Sequence, residues 1–153
     1  MKIKGLLQPE DIIPDLAATT KEEALGEMAE RVSRQHPGLE HTEILRILLE
    51  RERLGSTGIG DGVAIPHGKL KRLDQPVMVF ARSLKGIDYN ALDNRPVNLL
   101  FLIIAPEAAV GLHLKILARI SRILKDATVR TSLMEAPDAA ALFAVILEQD
   151  SRY

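Results

Sequence analysis

Four glycines fall within eight positions, Gly55-Ser56-Thr57-Gly58-Ile59-Gly60-Asp61-Gly62, and shortly after them His67 stands between Pro66 and Gly68. Neutral imidazole is a nucleophile near pH 7, because an unperturbed pKa of about 6.5 leaves much of it unprotonated there. Glycines this dense are kept where φ must be positive or where something must approach the main chain closely. Two readings of the loop stay open. It is a turn between a helix and a strand, or it is a nest of backbone N–H groups for an anion, formed around Gly58 and Gly60 and strengthened by the hydroxyls of Ser56 and Thr57.

The nucleotide patterns can be tested on spacing. A Walker A loop needs four residues between its glycines, but five separate Gly62 from Gly68, and Lys69 is followed by Leu70 where a Ser or Thr is required. A dinucleotide fingerprint fails at Val63 or at Ile65, depending on where it starts. No serine sits in Gly-x-Ser-x-Gly. The histidines His36, His41, His67 and His113 form no i, i+4 pair and have no cysteine to join them, so no metal site is expected.

Two further residues have an ambiguous phase. Arg51 follows Ile44 by seven positions and Leu48 by three, which carries it onto the apolar face of its helix, although Glu50, Glu52 and Arg53 around it read as a solvated charge run. A guanidinium on the buried side needs an anionic partner. His113 also lies on an apolar helix face, where a core histidine with a satisfied hydrogen bond is the plain reading. It falls, however, in the first turn, where free N–H groups and the dipole favour an anion, so a phosphoryl group could be held between it and His67.

The elements that must position these residues follow from periodicity. Thr20 and Glu23 form a capping box ahead of Leu25, Met28, Ala29 and Val32, an amphipathic helix that should stop at His36-Pro37-Gly38. A second helix is expected from about Thr42 to the glycine stretch, a third from near Gly111 to Lys125, and a last one from about Asp138 to Glu148. Between them lie a short strand at Val63-Ala64-Ile65-Pro66 and two β-rich runs, Val77 to Ala81 and Val97 to Ile104, with turn chemistry at Asp93-Asn94-Arg95-Pro96. The second run is apolar almost throughout, as an interior strand covered on both faces would be. Helices before, after and around strands argue for a single-domain α/β sandwich.

Composition narrows the partners. With 153 residues, 46% of them hydrophobic and 27% charged, the chain suits one ordinary globular domain. Twenty Lys+Arg against twenty-one Asp+Glu leave a formal charge of −1, and three Phe with two Tyr and no Trp offer little to stack on bases, so nucleic acid is not expected. The chain has no cysteine, no leader-like N-terminus and no apolar run of the roughly 18 to 20 residues that span a bilayer, which points to the cytoplasm rather than to a membrane-embedded protein.

The continuous stretch from Arg51 to Leu70, RERLGSTGIGDGVAIPHGKL, closely resembles the signature of the bacterial phosphotransferase-system IIA domains of the fructose/mannitol type, known as EIIA type 2. Ala91 to Val97 and Gly111-Leu112-His113-Leu114 match as well, and the likeness, nearest to the stand-alone nitrogen-branch members, covers nearly the whole chain. The first twenty residues and the tail after Glu148 match least. The resemblance implies one domain over 1–153 with a mixed sheet between helices, phosphorylation of His67 at Nε2, and Arg51 and His113 flanking the phosphoryl group without metal or cofactor. It implies an HPr-like histidine phosphocarrier as donor, and regulatory targets such as potassium transporters or sensor kinases. The absence of a second domain and of an acceptor cysteine favours regulation over sugar uptake. Alternatives are a detached sugar-specific IIA component feeding a permease, and a binding module whose His67 is never modified. Asp61 stands where the family varies and is expected to point outward.

Overall fold

The computed structural model describes residues 2–153. After a 3-10 turn at Pro9–Asp11, the elements in chain order are β1 (Ile12–Ile13), α1 (Lys21–Gln35), α2 (His41–Glu52), β2 (Gly58–Gly60), β3 (Val63–Ala64), β4 (His67–Leu70), β5 (Val77–Ile87), β6 (Val97–Pro106), α3 (Val110–Lys125), α4 (Ala127–Glu135) and α5 (Ala139–Ser151). They form a mixed sheet between two helical layers, the α/β sandwich expected from the alternation of patterns.

β6 is the central strand. β5 pairs with it antiparallel on one side, with Phe80 opposite Phe101. On its other side β3 and then β4 run parallel to it in succession, with Val63 opposite Leu99 and His67 opposite Ile103. β1 extends the sheet beyond β5, and β2 extends it beyond β3. Side chains of a strand alternate between faces, so one apolar run supplies two cores. Leu100, Leu102 and Ile104 pack with α1 and α2, whereas Leu99, Phe101 and Ile103 pack with α3, α4 and α5. That double coverage explains why Val97 to Ile104 is apolar almost without interruption.

The Thr20 hydroxyl accepts the Glu23 amide at 3.3 Å and α1 starts at the next residue, as the capping box foretold. The Glu23 carboxylate reaches back one residue further than in the ideal box, to the Thr19 amide at 3.0 Å. Two features depart from the periodicity. α4 buries only Val129 and Leu133 along its length, too few for a recurrent apolar face, although its cap was written in Asp126, whose carboxylate accepts the Thr128 amide at 2.8 Å. β5 continues past Ala81 through Arg82, a residue that hydropathy alone would place outside a core strand.

Arg82 is only 3% exposed. Its Nε donates to the Pro14 carbonyl at 2.8 Å, and its Nη1 donates to the carbonyls of Leu133 at 2.8 Å and Ala136 at 2.6 Å. The guanidinium thus closes the C-terminal end of α4, where carbonyls lack helical partners and the helix dipole favours a cation. It joins the sheet to the last helical layer by hydrogen bonds instead of packing. Arg82→Met keeps the apolar stem but strands those carbonyls; the variant is expected to lose about 2–3 kcal/mol of stability, read as a lower urea midpoint at unchanged m-value.

Candidate functional site

β4 pairs with β6 alone among the described strands, so His67 begins a strand with an open edge. Alternation along β4 sends neighbouring side chains to opposite layers. His67, opposite Ile103, faces the α3 side; Gly68, opposite Ile104, faces α2. A Cβ placed on Gly68 would lie 2.3 Å from Cγ2 of Ile47, so α2 is seated against bare backbone there. Arg51 is one turn beyond Ile47 on the same helix face. The close seating carries its guanidinium around the sheet edge to His67, where Nε donates to the His67 Nε2 at 3.3 Å and Nη1 donates to the Gly55 carbonyl at 2.9 Å. From the opposite layer α3 brings His113, its ring centroid 5.3 Å from that of His67 with the planes inclined by 52°.

The proton on His67 can be assigned by elimination. Its Nδ1 lies 2.7 Å from the Ile65 carbonyl, which can only accept, and its Nε2 faces Arg51, which can only donate. Nδ1 therefore carries the hydrogen and Nε2 the lone pair. Burial holds this imidazole below its ordinary pKa, helped by the positive charges of Arg51 and Lys69 and opposed by the Ile65 hydrogen bond and the Glu52 carboxylate. His113, 5% exposed, is lowered by burial and then by His67 and Lys69. Its Nδ1 is buried without a hydrogen-bond partner among the described residues. It stands in the first turn of α3, a helix whose N-cap, Ala109, supplies no side-chain hydrogen bond.

His67 and His113 open on a groove of about 700 Å³. Ile47, Leu54, Leu114 and Leu117 supply its apolar walls; Arg46, Arg51, Lys69 and Lys71 outnumber the acids Glu50 and Glu107 along it. Leu54 and Leu114 are 83% and 61% exposed, so its apolar rim is uncovered. Among the described residues no group of three or more His, Cys, Asp or Glu is placed to hold a metal ion.

Of the two readings of the glycine loop, the structure gives the turn between helix and strand its contacts, with loop amides bonded inside the protein. The Thr57 amide donates to Glu52 at 3.1 Å and its hydroxyl also donates to that carboxylate. The Gly58 amide donates to the Ser56 hydroxyl at 3.1 Å. Gly58 is a glycine because a Cβ would stand 2.8 Å from the Ala91 backbone, and Gly60, with φ +105°, packs beside Asp93. Ser56, Thr57, Gly58 and Gly60 are not among the residues that line the groove, and the close approach that demands glycine at position 58 is made by Ala91. Asp61 is exposed and lines a separate hollow with Asn98 and Arg130, pointing outward as expected. Sequence patterns passed over Gly68, Lys21 and Tyr89, whose importance depends on packing partners far away in the chain.

Residues 5–149 match the family described as the EIIA 2 component of the phosphoenolpyruvate-dependent sugar phosphotransferase system, and the chain belongs to that family. Phosphoryl transfer through phosphohistidine is the general chemistry of this family. Among its relatives, the nitrogen regulatory protein of Bradyrhizobium diazoefficiens is 42% identical over 146 residues, spanning 95% of each chain. That of Pseudomonas aeruginosa is 35% identical over 148 residues, 97% of this chain and 96% of the other. The crystal structure of nitrogen regulatory protein IIA-Ntr from Neisseria meningitidis superposes with a TM-score of 0.87 at 33% identity, covering 92% of this chain and 96% of that one.

Two outcomes follow from this geometry. Both histidines resist protonation in the folded state, so below the unfolded pKa of about 6.5 the unfolded chain takes up more protons and stability falls as pH decreases. Urea titrations from about pH 7.5 to about pH 5.5 should show that decline, and His67→Asn should flatten it. Gly68→Ala forces α2 away from β4 and is expected to lower stability by about 1–3 kcal/mol, with loss of the Arg51 contact visible as a shift of the His67 ring resonances.

Proposed function

We propose that this chain is a phosphohistidine carrier of the nitrogen branch of the phosphotransferase system, accepting its phosphoryl group on Nε2 of His67 from an HPr-like phosphocarrier. The observation that carries this reading is the disposition of one ring: Nδ1–H is held by the Ile65 carbonyl, and the Nε2 lone pair faces a groove rich in cations. Full-length likeness to two proteins named as nitrogen regulatory proteins supports the regulatory branch over the sugar-uptake alternative.

In the proposed step the Nε2 lone pair attacks the phosphorus of the donor's phosphohistidine in line. The new N–P bond forms as the donor's N–P bond breaks, and the donor imidazole leaves with the electron pair. No proton has to cross, because the His67 ring keeps its Nδ1–H throughout. Such a transfer needs positioning and charge relief more than covalent work by the protein. Arg51 Nε, which now faces Nε2, redirects to the phosphoryl oxygens, where a charge of roughly −1.5 to −2 (by analogy with phosphoserine) makes its hydrogen bonds stronger. His113 and the start of α3 lie on the opposite side of the same ring and add donors there.

The exposed Leu54 and Leu114 give the donor an apolar landing around the histidine. Addition of a dianion to a groove lined by Arg46, Lys69 and Lys71 then changes the charge that a second partner meets, the basis on which regulatory targets such as potassium transporters or sensor kinases would distinguish the two states. Incubation with a phosphorylated histidine phosphocarrier should add one phosphate to wild type, labile in acid and stable in alkali, and none to His67→Ala, as read by intact mass. Arg51→Gln should slow the transfer about 10²-fold or more. A wild-type chain that takes up no phosphate, or a His67→Ala chain that does, would reject the proposal in favour of an unmodified binding module.

A further inference from the structure

The hydrogen bond that orients His67 is the last link of a longer chain. The Ile65 carbonyl accepts from His67 Nδ1 at 2.7 Å, and the amide of the same residue donates to the Thr57 carbonyl at 3.0 Å. Thr57 is in turn gripped at two points by Glu52, through its amide at 3.1 Å and through its hydroxyl. Glu52 pairs with Lys21 of α1 at 3.0 Å, the two side chains being 6% and 11% exposed. Tyr89, fully buried, places its hydroxyl 3.0 Å from that of Thr57.

The donors in this cluster all run one way. A threonine hydroxyl has one hydrogen, and it goes to the Glu52 carboxylate, so Tyr89 must donate to Thr57. Burial and the Glu52 charge hold the Tyr89 hydroxyl far above its ordinary pKa, so it stays a donor. Lys21, Thr57 and, through it, Tyr89 therefore converge on one carboxylate. A buried ion pair is poor evidence for stability, since desolvation opposes the attraction. This pair has another consequence, because Glu52 fixes Thr57, whose carbonyl holds the Ile65 amide next to the carbonyl that orients His67.

We propose that Glu52 is a positioning residue for phosphoryl transfer: by clamping Thr57 it sets the Ile65 carbonyl that keeps the hydrogen of His67 on Nδ1 and leaves Nε2 free to attack. The proposal rests on the phosphocarrier reading, but its first readout does not need phosphate. Release of Thr57 frees the 55–57 loop and the Ile65 amide, gives the Ile65 carbonyl room to swing about ψ, and weakens the preference for the Nδ1–H tautomer, which the Arg51 donor facing Nε2 then supports alone. The other tautomer carries its hydrogen on Nε2 and cannot attack.

Nitrogen-15 NMR of the histidine rings tests the claim. Wild type should show His67 protonated at Nδ1; a ring protonated at Nε2 overturns the proposal without any variant. Glu52→Gln should give a mixture of tautomers and lower kcat for transfer from the phosphorylated carrier by about 10²-fold, with KM for the carrier changed by no more than about 2-fold. A folded Glu52→Gln with an unchanged tautomer and unchanged kcat overturns it. Because that substitution leaves Lys21 buried without its partner, Thr57→Val and Thr57→Ser form the second pair. Thr57→Ser, which keeps the hydroxyl, should retain tautomer and rate, and Thr57→Val should lose both in part; equal behaviour of the two also overturns the proposal. If the tautomers respond as stated but wild type accepts no phosphate, the carrier reading fails, and with it the role in transfer, while the control of the His67 tautomer by Glu52 stands.

Discussion

The seating of α2 on the bare backbone of Gly68 is the constraint from which the site follows. Sheet and helix meet there with less room than one methyl group requires, the Ile47 side chain filling the space where a Cβ would be. The helix ends one turn later at Arg51 and Glu52, so two consecutive side chains arrive at the sheet edge with opposite charges and separate partners. Arg51 goes outward to His67 and Gly55; Glu52 goes inward to Lys21 and Thr57. A helix displaced by the width of a methyl group would lose both sets of contacts.

Because β4 is an open edge, its first residue lies where the two helical layers come together around the sheet. α2 contributes a cation from one layer, and α3 contributes a histidine and a helix start from the other. An interior strand such as β6 has no such opportunity, since both its faces are filled with Leu, Phe and Ile. The same placement leaves the imidazole half-buried, dry enough to resist a second proton yet open to the groove. A phosphoryl acceptor needs that combination, because a charged ring cannot attack and a walled-off ring cannot be reached.

The site also divides labour between backbone and side chains in an unexpected way. Glycines near a reactive histidine invite the idea of an amide cradle, but here the loop amides of Thr57 and Gly58 are consumed by Glu52 and Ser56. The loop serves as a strut against the 89–93 segment, with Gly58 pressed on Ala91 and Tyr89. In the proposed transfer, relief of negative charge would fall to Arg51, to Lys69 and Lys71 and to the start of α3, which border the groove while the loop braces the sheet. Orientation from one side and charge from the other suit the proposed role of a ring that accepts a group and later releases it.

Much of this could be read from the amino acids in order. Local rules located α1, α2, α3 and α5 to within a few residues, because caps and apolar spacing are properties of neighbouring positions. The apolar run ending at Ile104 identified a doubly covered strand for the same reason, whereas helical phase left Arg51 and His113 each between two readings, and tertiary contacts set both beside His67. What sequence order left open depends on contacts between distant segments. Arg82 makes sense only beside the end of α4, Glu52 only beside Lys21 and Thr57, and Gly68 only beneath Ile47. The glycine loop shows the limit most clearly: residue type shows that something must come close to its backbone, but whether that is an anion or the protein's own 89–93 segment is set by packing in three dimensions.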